Sequence, residues 1–383
     1  MTTRLQIESI GQIRRAEIDF GDLTVFVGPQ ATGKSIALQV LKLLVDTGYI
    51  QDELSRHGID WGGGVSEFFD SYFGQGMHAL WKPDASRLHW ESSSIDMDAI
   101  AKRRRKSKPE SLFFIPAQRV LTLRDGWPRP FTDYAPGDPF VVRQFSERLR
   151  LLMERDFTPD RAIFPQERQL KKEVRDLLNK TIFGNFSLRV DKHLSQKRLM
   201  LGPEGGNGGL PFMVWSAGQR EFMPLLLGFY WLMPPTKVAR RDDIEWVVIE
   251  EPEMGLHTQA ISTVLLMVLE LLHRGYKVCL STHSPYVLDV VWALKMLKRH
   301  RSEKDLLLAI FDVPKGTQVD RVAESALKKD TKVYYFDRVS GQVKDISNLD
   351  PGAIDEAEAG WGGLSEFSGR VADVVAKAVA RGE

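Results

Sequence analysis

The chain has 383 residues, 43% hydrophobic and 27% charged, enough to bury a full core in one elaborated domain or two. A formal net charge of +1 selects neither nucleic acid nor an acidic surface, and a single cysteine, Cys279, excludes disulfides and a cysteine-based metal centre. No signal peptide is legible and no apolar stretch approaches the ~20 residues needed to cross a bilayer, so a cytoplasmic location and no membrane partner are expected.

The first informative segment is the apolar run Leu23 to Val27, which reads as a buried strand. It feeds Gly28-Pro29-Gln30-Ala31-Thr32-Gly33-Lys34-Ser35, which fits G-x-x-x-x-G-K-[ST] at every fixed position. Ile36, Leu38, Val40, Leu41 and Leu44 then recur at helical spacing. Strand, loop and helix stand in the order a phosphate cradle requires: backbone N–H groups and a helix N-terminus aim positive charge at one place. Residues Gly28 to Ile36 are therefore the expected nucleotide contacts. Lys34 is expected to bridge the β- and γ-phosphates, and the Ser35 hydroxyl to ligate Mg2+.

The stretch after this helix is punctuated by Pro83, Pro109, Pro116, Pro128, Pro130, Pro136, Pro139 and Pro159, and by glycines at Gly62 to Gly64 and Gly205-Gly206. No heptad survives that for several turns, so a compact lobe is expected in place of a coiled coil. Within it, Lys102-Arg103-Arg104-Arg105-Lys106-Ser107-Lys108 can either hold a nucleic-acid backbone or form a solvated loop, with no aromatic to stack on bases. Phe113 to Ile115 reads as a strand presenting Gln118 and Arg119 at its polar end. Val141 to Leu178 reads as helices, and Phe186 to Met200 as strands.

The run Glu245 to Ile249 ends in the pair Glu250-Glu251, expected at the carboxyl edge of a central strand, where open α/β sheets place their ligands. Adjacent buried carboxylates are costly unless a cation offsets them. Glu250 is expected to hold Mg2+ through water and Glu251 to polarise an attacking water. A helix from about Thr258 to His273, closed by Gly275, leads to Lys277-Val278-Cys279-Leu280-Ser281-Thr282-His283, a second strand delivering a polar side chain. Beside Glu250 and Glu251, His283 is placed to contact a γ-phosphate; a structural histidine is the other reading. Lys295, Lys298, Arg299, His300 and Arg301 read as a solvated helix face. Leu306 to Val313 and Lys332 to Phe336 read as strands, Asp350 to Gly363 as an acidic segment, and the end as a short helix.

Together these motifs resemble the soluble branch of the ATP-binding-cassette ATPases, which includes the structural-maintenance-of-chromosomes heads and the overcoming-lysogenisation-defect family. Ser216, Ala217, Gly218 and Gln219 fall on that superfamily's signature, with Ala217 replacing the usual first glycine. The resemblance implies that this signature caps, in trans, the γ-phosphate held by another subunit. Pro252 to His257 is similar to the second family's dimer-contact loop, Ser281 to Pro285 to its histidine switch, and Leu5 to Ile7 with Ala16 to Phe20 to its N-terminal strand pair. Gln118 is implied as the glutamine that senses Mg2+ and the γ-phosphate; the alternative is that it caps a turn while Arg119 pairs with an acidic neighbour.

The resemblance implies an α/β fold: an ABC-type P-loop ATPase head with a mixed sheet flanked by helices and a compact, mainly helical inserted lobe. The head spans 1–50 and 211–345, the lobe 51–210, and the acidic segment with its helix 346–383. The implied function is an ATP- and Mg2+-dependent homodimer, or a homo-oligomer of dimers, working as a switch. That family carries a nuclease built around a glutamate and an Asp-x-Asp pair after the head, and no Asp-x-Asp follows His283 here. By analogy with two-component anti-phage modules, the chain is expected to control a separately encoded effector. Two other functions stand beside it, a DNA-repair or chromosome-associated ATPase and the energy-coupling subunit of a transporter.

Overall fold

Apolar runs short enough to be buried on both faces become parallel strands, and this chain builds its main sheet from such runs. Strands form at Thr3–Ile10 (β1), Ile13–Phe20 (β2) and Leu23–Val27 (β3), then the helix Lys34–Arg56 (α1) and strands Arg87–Trp90 (β4) and Leu112–Ile115 (β5). Helix Phe140–Asp156 (α2) precedes the hairpin Phe186–His193 (β6) and Gln196–Pro203 (β7). Helix Ala217–Leu232 (α3), strand Trp246–Glu250 (β8), helix Thr258–His273 (α4), strand Lys277–Ser281 (β9) and helix Pro285–Arg299 (α5) follow. Helix Lys304–Ile310 (α6), strands Thr331–Phe336 (β10) and Val343–Asp345 (β11), and helix Glu366–Gly382 (α7) come last.

This computed structural model describes residues 3–102, 106, 108–157, 162–193, 196–203, 208–235, 240–241, 243–364 and 366–382. Of the basic run from Lys102 to Lys108, Arg103, Arg104, Arg105 and Ser107 lie outside the described residues, as do Pro159, Gly205 and Gly206.

The six-stranded sheet runs β11-β10-β3-β9-β8-β5, parallel throughout except for the edge strand β11, so the fold is α/β with a mixed sheet flanked by helices. Every residue of β3, β5 and β8 is buried. Successive residues face opposite sides, and the core divides accordingly. Val25, Ile249 and Leu280 pack with α2, α3, α4 and α5, while Phe26, Val248 and Cys279 pack with α1 and the β2-β1-β4 sheet. Cys279 is a buried free thiol that burial pushes up, so it stays protonated.

Register brings the strand ends together. Phe26 lies opposite Ser281, Ser281 opposite Glu250, and Ile249 opposite Ile115. The loops that follow β3, β5, β8 and β9 therefore converge on one carboxyl edge.

The stretch 51–210 supplies β4 to the N-terminal sheet and β5 to the main one. A buried ionic cluster fastens β5 to α1. Lys42 donates to Asp46 at 2.7 Å, Glu110 at 2.8 Å and the Leu112 carbonyl, and the Asp46 carboxylate accepts from the Ser111 and Leu112 N–H groups. Burial works against each charge, and attraction to the two carboxylates outweighs it at Lys42, which stays an ammonium. Asp46 leaves helical geometry at φ −119, ψ 25, so the kink in α1 falls where its side chain turns to β5.

Two readings of the sequence are corrected. Leu306 to Val313, expected as a strand, contains α6: Leu307 and Leu308 are buried while Leu306 and Ile310 face out, the alternation of a helix. Val141 to Leu178, expected as helices, holds α2 and a helix at Lys172–Leu178 with a strand, Ala162–Phe164, between them that pairs with β6.

Candidate nucleotide site

The loop after β3 is built around two glycines that no other residue could replace without moving its neighbours. Gly28 has φ 138, and a Cβ there would stand 2.5 Å from the Phe336 carbonyl oxygen; Gly33 has φ 99, and a Cβ would meet Ile13 at 2.6 Å. Gly33 is also the N-cap of α1, so the helix starts directly from the turn. Ala31 takes φ 59, and Thr32 donates its hydroxyl to the Pro29 carbonyl.

Lys34 is 6% exposed and folds back over the loop, donating to the carbonyls of Gly28 at 2.8 Å and Pro29 at 2.7 Å. Burial lowers its pKa to about 8, an effect partly opposed by Glu251 and Glu253. The folded value lies below the ordinary lysine value, so the charge costs stability below pH 8, a cost relieved as pH rises toward 10.5. A polyphosphate beside the ammonium would restore the charged form, so its binding should take up a proton near pH 8.5. Calorimetric titration of ATP at that pH, in buffers of different ionisation enthalpy, is expected to show uptake of more than about half a proton. A binding enthalpy independent of buffer would contradict it.

The acidic pair ends β8 in two different environments. Glu250 is 2% exposed; its Oε2 accepts the Ala117 N–H at 3.0 Å and its Oε1 is buried without a hydrogen-bond partner. Burial raises its pKa, against the pull of the Ser35 hydroxyl and the Ala117 N–H. Glu251 is partly exposed and takes φ 44, a left-handed conformation unusual for a residue with a long side chain. Its Oε1 lies 3.5 Å from His283 Nε2. The His283 hydrogen bond holds the carboxyl below its ordinary pKa, with burial opposing and the charges of His283 and Lys34 assisting.

His283 follows β9 by two residues and is held by its own backbone. Glu253 Oε1 accepts both the His283 N–H and the Thr282 hydroxyl at 2.7 Å, and the Thr282 hydroxyl oxygen accepts the Ser284 N–H. This bracing role of Glu253 was not visible in the sequence. Gln12, from the turn between β1 and β2, is a further residue the sequence reading did not place. It lines a cavity of about 190 Å³ with Gln30 to Ile36, Glu251 and His283.

Gln118 is exposed, at the start of a 3-10 turn over Arg119–Thr122, and it does not line this cavity. Its neighbour Arg119 is fully buried and donates to three main-chain carbonyls: Glu221 at 3.2 Å, Glu250 at 3.0 Å and Glu251 at 3.0 Å. Neither sequence reading of Arg119 anticipated backbone acceptors.

Ser216 is the N-cap of α3 and forms a capping box with Gln219: the Ser216 oxygen accepts the Gln219 N–H and the Gln219 side chain accepts the Ser216 N–H. Ser216 and Ala217 are exposed, and none of Ser216 to Gln219 lines the cavity of the same chain.

The donors around Glu250 suit a hard divalent cation. A buried carboxylate oxygen lacking a partner, with a serine hydroxyl beside it, is an all-oxygen set of the kind Mg2+ prefers.

Residues 136–289 match the family described as "AAA domain, putative AbiEii toxin, Type IV TA system". The matched span, less than half the chain, carries Ser216 to Gln219, Glu250, Glu251 and His283 but begins after the Gly28–Ser35 loop. No curated protein matches. Among solved structures, a structural-maintenance-of-chromosomes (Smc) head bound to the C-winged helix domain of ScpA aligns at 11% identity and a TM-score of 0.40, over 90% of this chain and 97% of that one. The SMC head domain from Thermotoga maritima aligns at 12% identity and a TM-score of 0.32, over 75% of this chain and 91% of that one.

Proposed function

We propose that this protein is a Mg2+-dependent ATPase that closes as a dimer over shared nucleotide sites and controls a separately encoded effector. The observation that carries the reading is the meeting, in one cavity, of Gln30 to Ile36, Glu251 and His283, with Ser35 beside the Glu250 carboxylate and one oxygen of that carboxylate buried without a partner. The matched family, described as an AAA domain, supports ATP as the ligand.

In this mechanism the N–H groups of residues 30–35 and the start of α1 bind the phosphates, and Lys34 leaves the loop carbonyls for the β- and γ-phosphate oxygens. Ser35 and Glu250 would hold Mg2+, with Gln118 as a third contact on closure; the cation would neutralise charge on the β- and γ-phosphates. Glu251, ionised, orients water and accepts its proton as the oxygen attacks phosphorus and the bond to the ADP oxygen breaks. His283, 3.5 Å from Glu251, is placed to hold a γ-phosphate oxygen and to register its loss.

Ser216 to Gln219 do not line their own chain's cavity and stand in sequence beside exposed Leu210, Met213 and Val214, at 45%, 66% and 60% exposure. Apolar surface next to an outward-facing helix start supports a signature that completes a second copy's site. Within this reading, residues 1–50 and 211–345 form the ATPase head, to which 51–210 adds β4, β5 and α2, and the rest of 51–210 is the part that closure moves.

The effector reading rests on the description of the matched family, which names a putative toxin of a toxin–antitoxin system, and on analogy with the overcoming-lysogenisation-defect branch. Among the described residues no cluster of three or more His, Cys, Asp or Glu could hold a metal. The purified protein is expected to leave DNA and RNA intact. Its affinity for the product of the adjacent gene is expected to differ between ATP-bound Glu251→Gln and the nucleotide-free protein, as a switch requires. Metal-dependent DNA cleavage by the pure protein, abolished by a substitution outside the ATP cavity, would overturn this.

A further inference from the structure

We infer that Arg119 is a positioning residue that locks the signature turn and the acidic pair of one chain into a single unit, so that a subunit's engagement with its partner's nucleotide sets the geometry of its own Glu250-Glu251. The inference rests on the shared-site reading above and adds a direction to it: information enters at Ser216 to Gln219 and leaves at Glu251.

Three observations carry it. The guanidinium is fully buried, and its three hydrogen bonds end on main-chain carbonyls, two at the acidic pair and one at Glu221 in the second turn of α3. Backbone acceptors mean that Arg119 fixes the path of the chain; it ties no carboxylate side chain. Burial works against this charge and lowers the Arg119 pKa, an effect opposed by the charges of Glu221, Glu253, Glu251 and Glu250. Three carbonyl dipoles solvate it directly, and they come from two elements, the acidic end of β8 and the start of α3.

The same two elements also touch with no slack. A Cβ at Gly218 would stand 3.1 Å from the Gly255 carbonyl oxygen, and a Cβ at Gly255, at φ 72, would stand 2.8 Å from Glu221 Cγ. The start of the signature helix therefore rests against the turn that follows the acidic pair. Glu251 in turn holds φ 44, a conformation that persists only when its surroundings impose it, and Arg119 grips the carbonyl of that residue. A shift of α3 toward a partner must either drag the Glu251 turn along or break these contacts.

Cooperativity separates this role from simple support of the acidic pair. If engagement with the partner's nucleotide sets a subunit's own Glu251, wild-type turnover is expected to rise cooperatively with ATP, and that cooperativity requires Arg119. Arg119→Lys, which keeps the charge but cannot reach three carbonyls, is expected to lower kcat by about tenfold or more, to change KM for ATP by less than about twofold and to abolish the cooperativity. A lower kcat with the cooperativity intact would reduce Arg119 to a support of the acidic pair and overturn the inference, and so would an unchanged kcat or a wild-type protein without cooperativity. If Arg119→Lys fails to fold, Arg119→Met, which leaves no buried charge, is read in the same way. Glu251→Gln that binds ATP and stays a single protomer shows instead that the shared site itself is wrong, and the inference falls with it.

Discussion

Lys34→Ala is expected to lose both ATP binding and turnover, whereas Glu251→Gln keeps binding and loses hydrolysis by about 10²-fold or more. The difference follows from where the two side chains stand. Lys34 is buried in the loop with its ammonium on the Gly28 and Pro29 carbonyls, positioned to move onto phosphate. Without it the cradle keeps its N–H groups but loses its mobile positive charge, and a polyanion gains far less from entering. Glu251 contributes to binding only as a nearby negative charge, which opposes it, so an amide there relieves repulsion and removes the proton acceptor alone. Equilibrium binding of a fluorescent ATP analogue and steady-state phosphate release separate the two effects. Equal losses of affinity in both variants would contradict the division of roles.

Mixing two inactive variants is expected to restore activity. Lys34→Ala destroys the loop half of a shared site and Ser216→Arg blocks the signature half, so a dimer with one of each retains one intact site. Random exchange makes half of the dimers mixed, which sets the expected recovery at about a quarter of wild-type turnover if the sites act independently. A recovery well below that value, in mixtures shown to contain mixed dimers, would indicate that the two sites fire together, the behaviour that the Arg119 linkage implies. No recovery at all would remove the shared site.

What could be read from the sequence, and what could not, divides along physical lines. The Leu23–Val27 strand, the loop and α1 were legible because an apolar run, a glycine-punctuated turn and a helical stripe each leave their own period in the chain. The ends of β8 and β9 were legible because fully apolar strands interrupted by carboxylates or a histidine expose the polar group at the edge. Leu306 to Val313 was misread because three adjacent leucines carry no period until their burial is known. The role of Arg119 could not be read, since its partners are carbonyls present at every position. Glu253 was hidden for a similar reason: its acceptors' partners, the Thr282 hydroxyl and the His283 N–H, come from a loop almost thirty residues away.

The account stands on a nucleotide site that a single chain leaves unfinished, and sedimentation of Glu251→Gln with and without ATP and Mg2+ tests this most directly. Blocked hydrolysis should hold the closed state, so the ATP-loaded protein is expected to sediment at the mass of two protomers or a multiple of two, and to return toward its starting distribution when the nucleotide is removed. A single-protomer species carrying bound ATP across the whole concentration range would contradict the account.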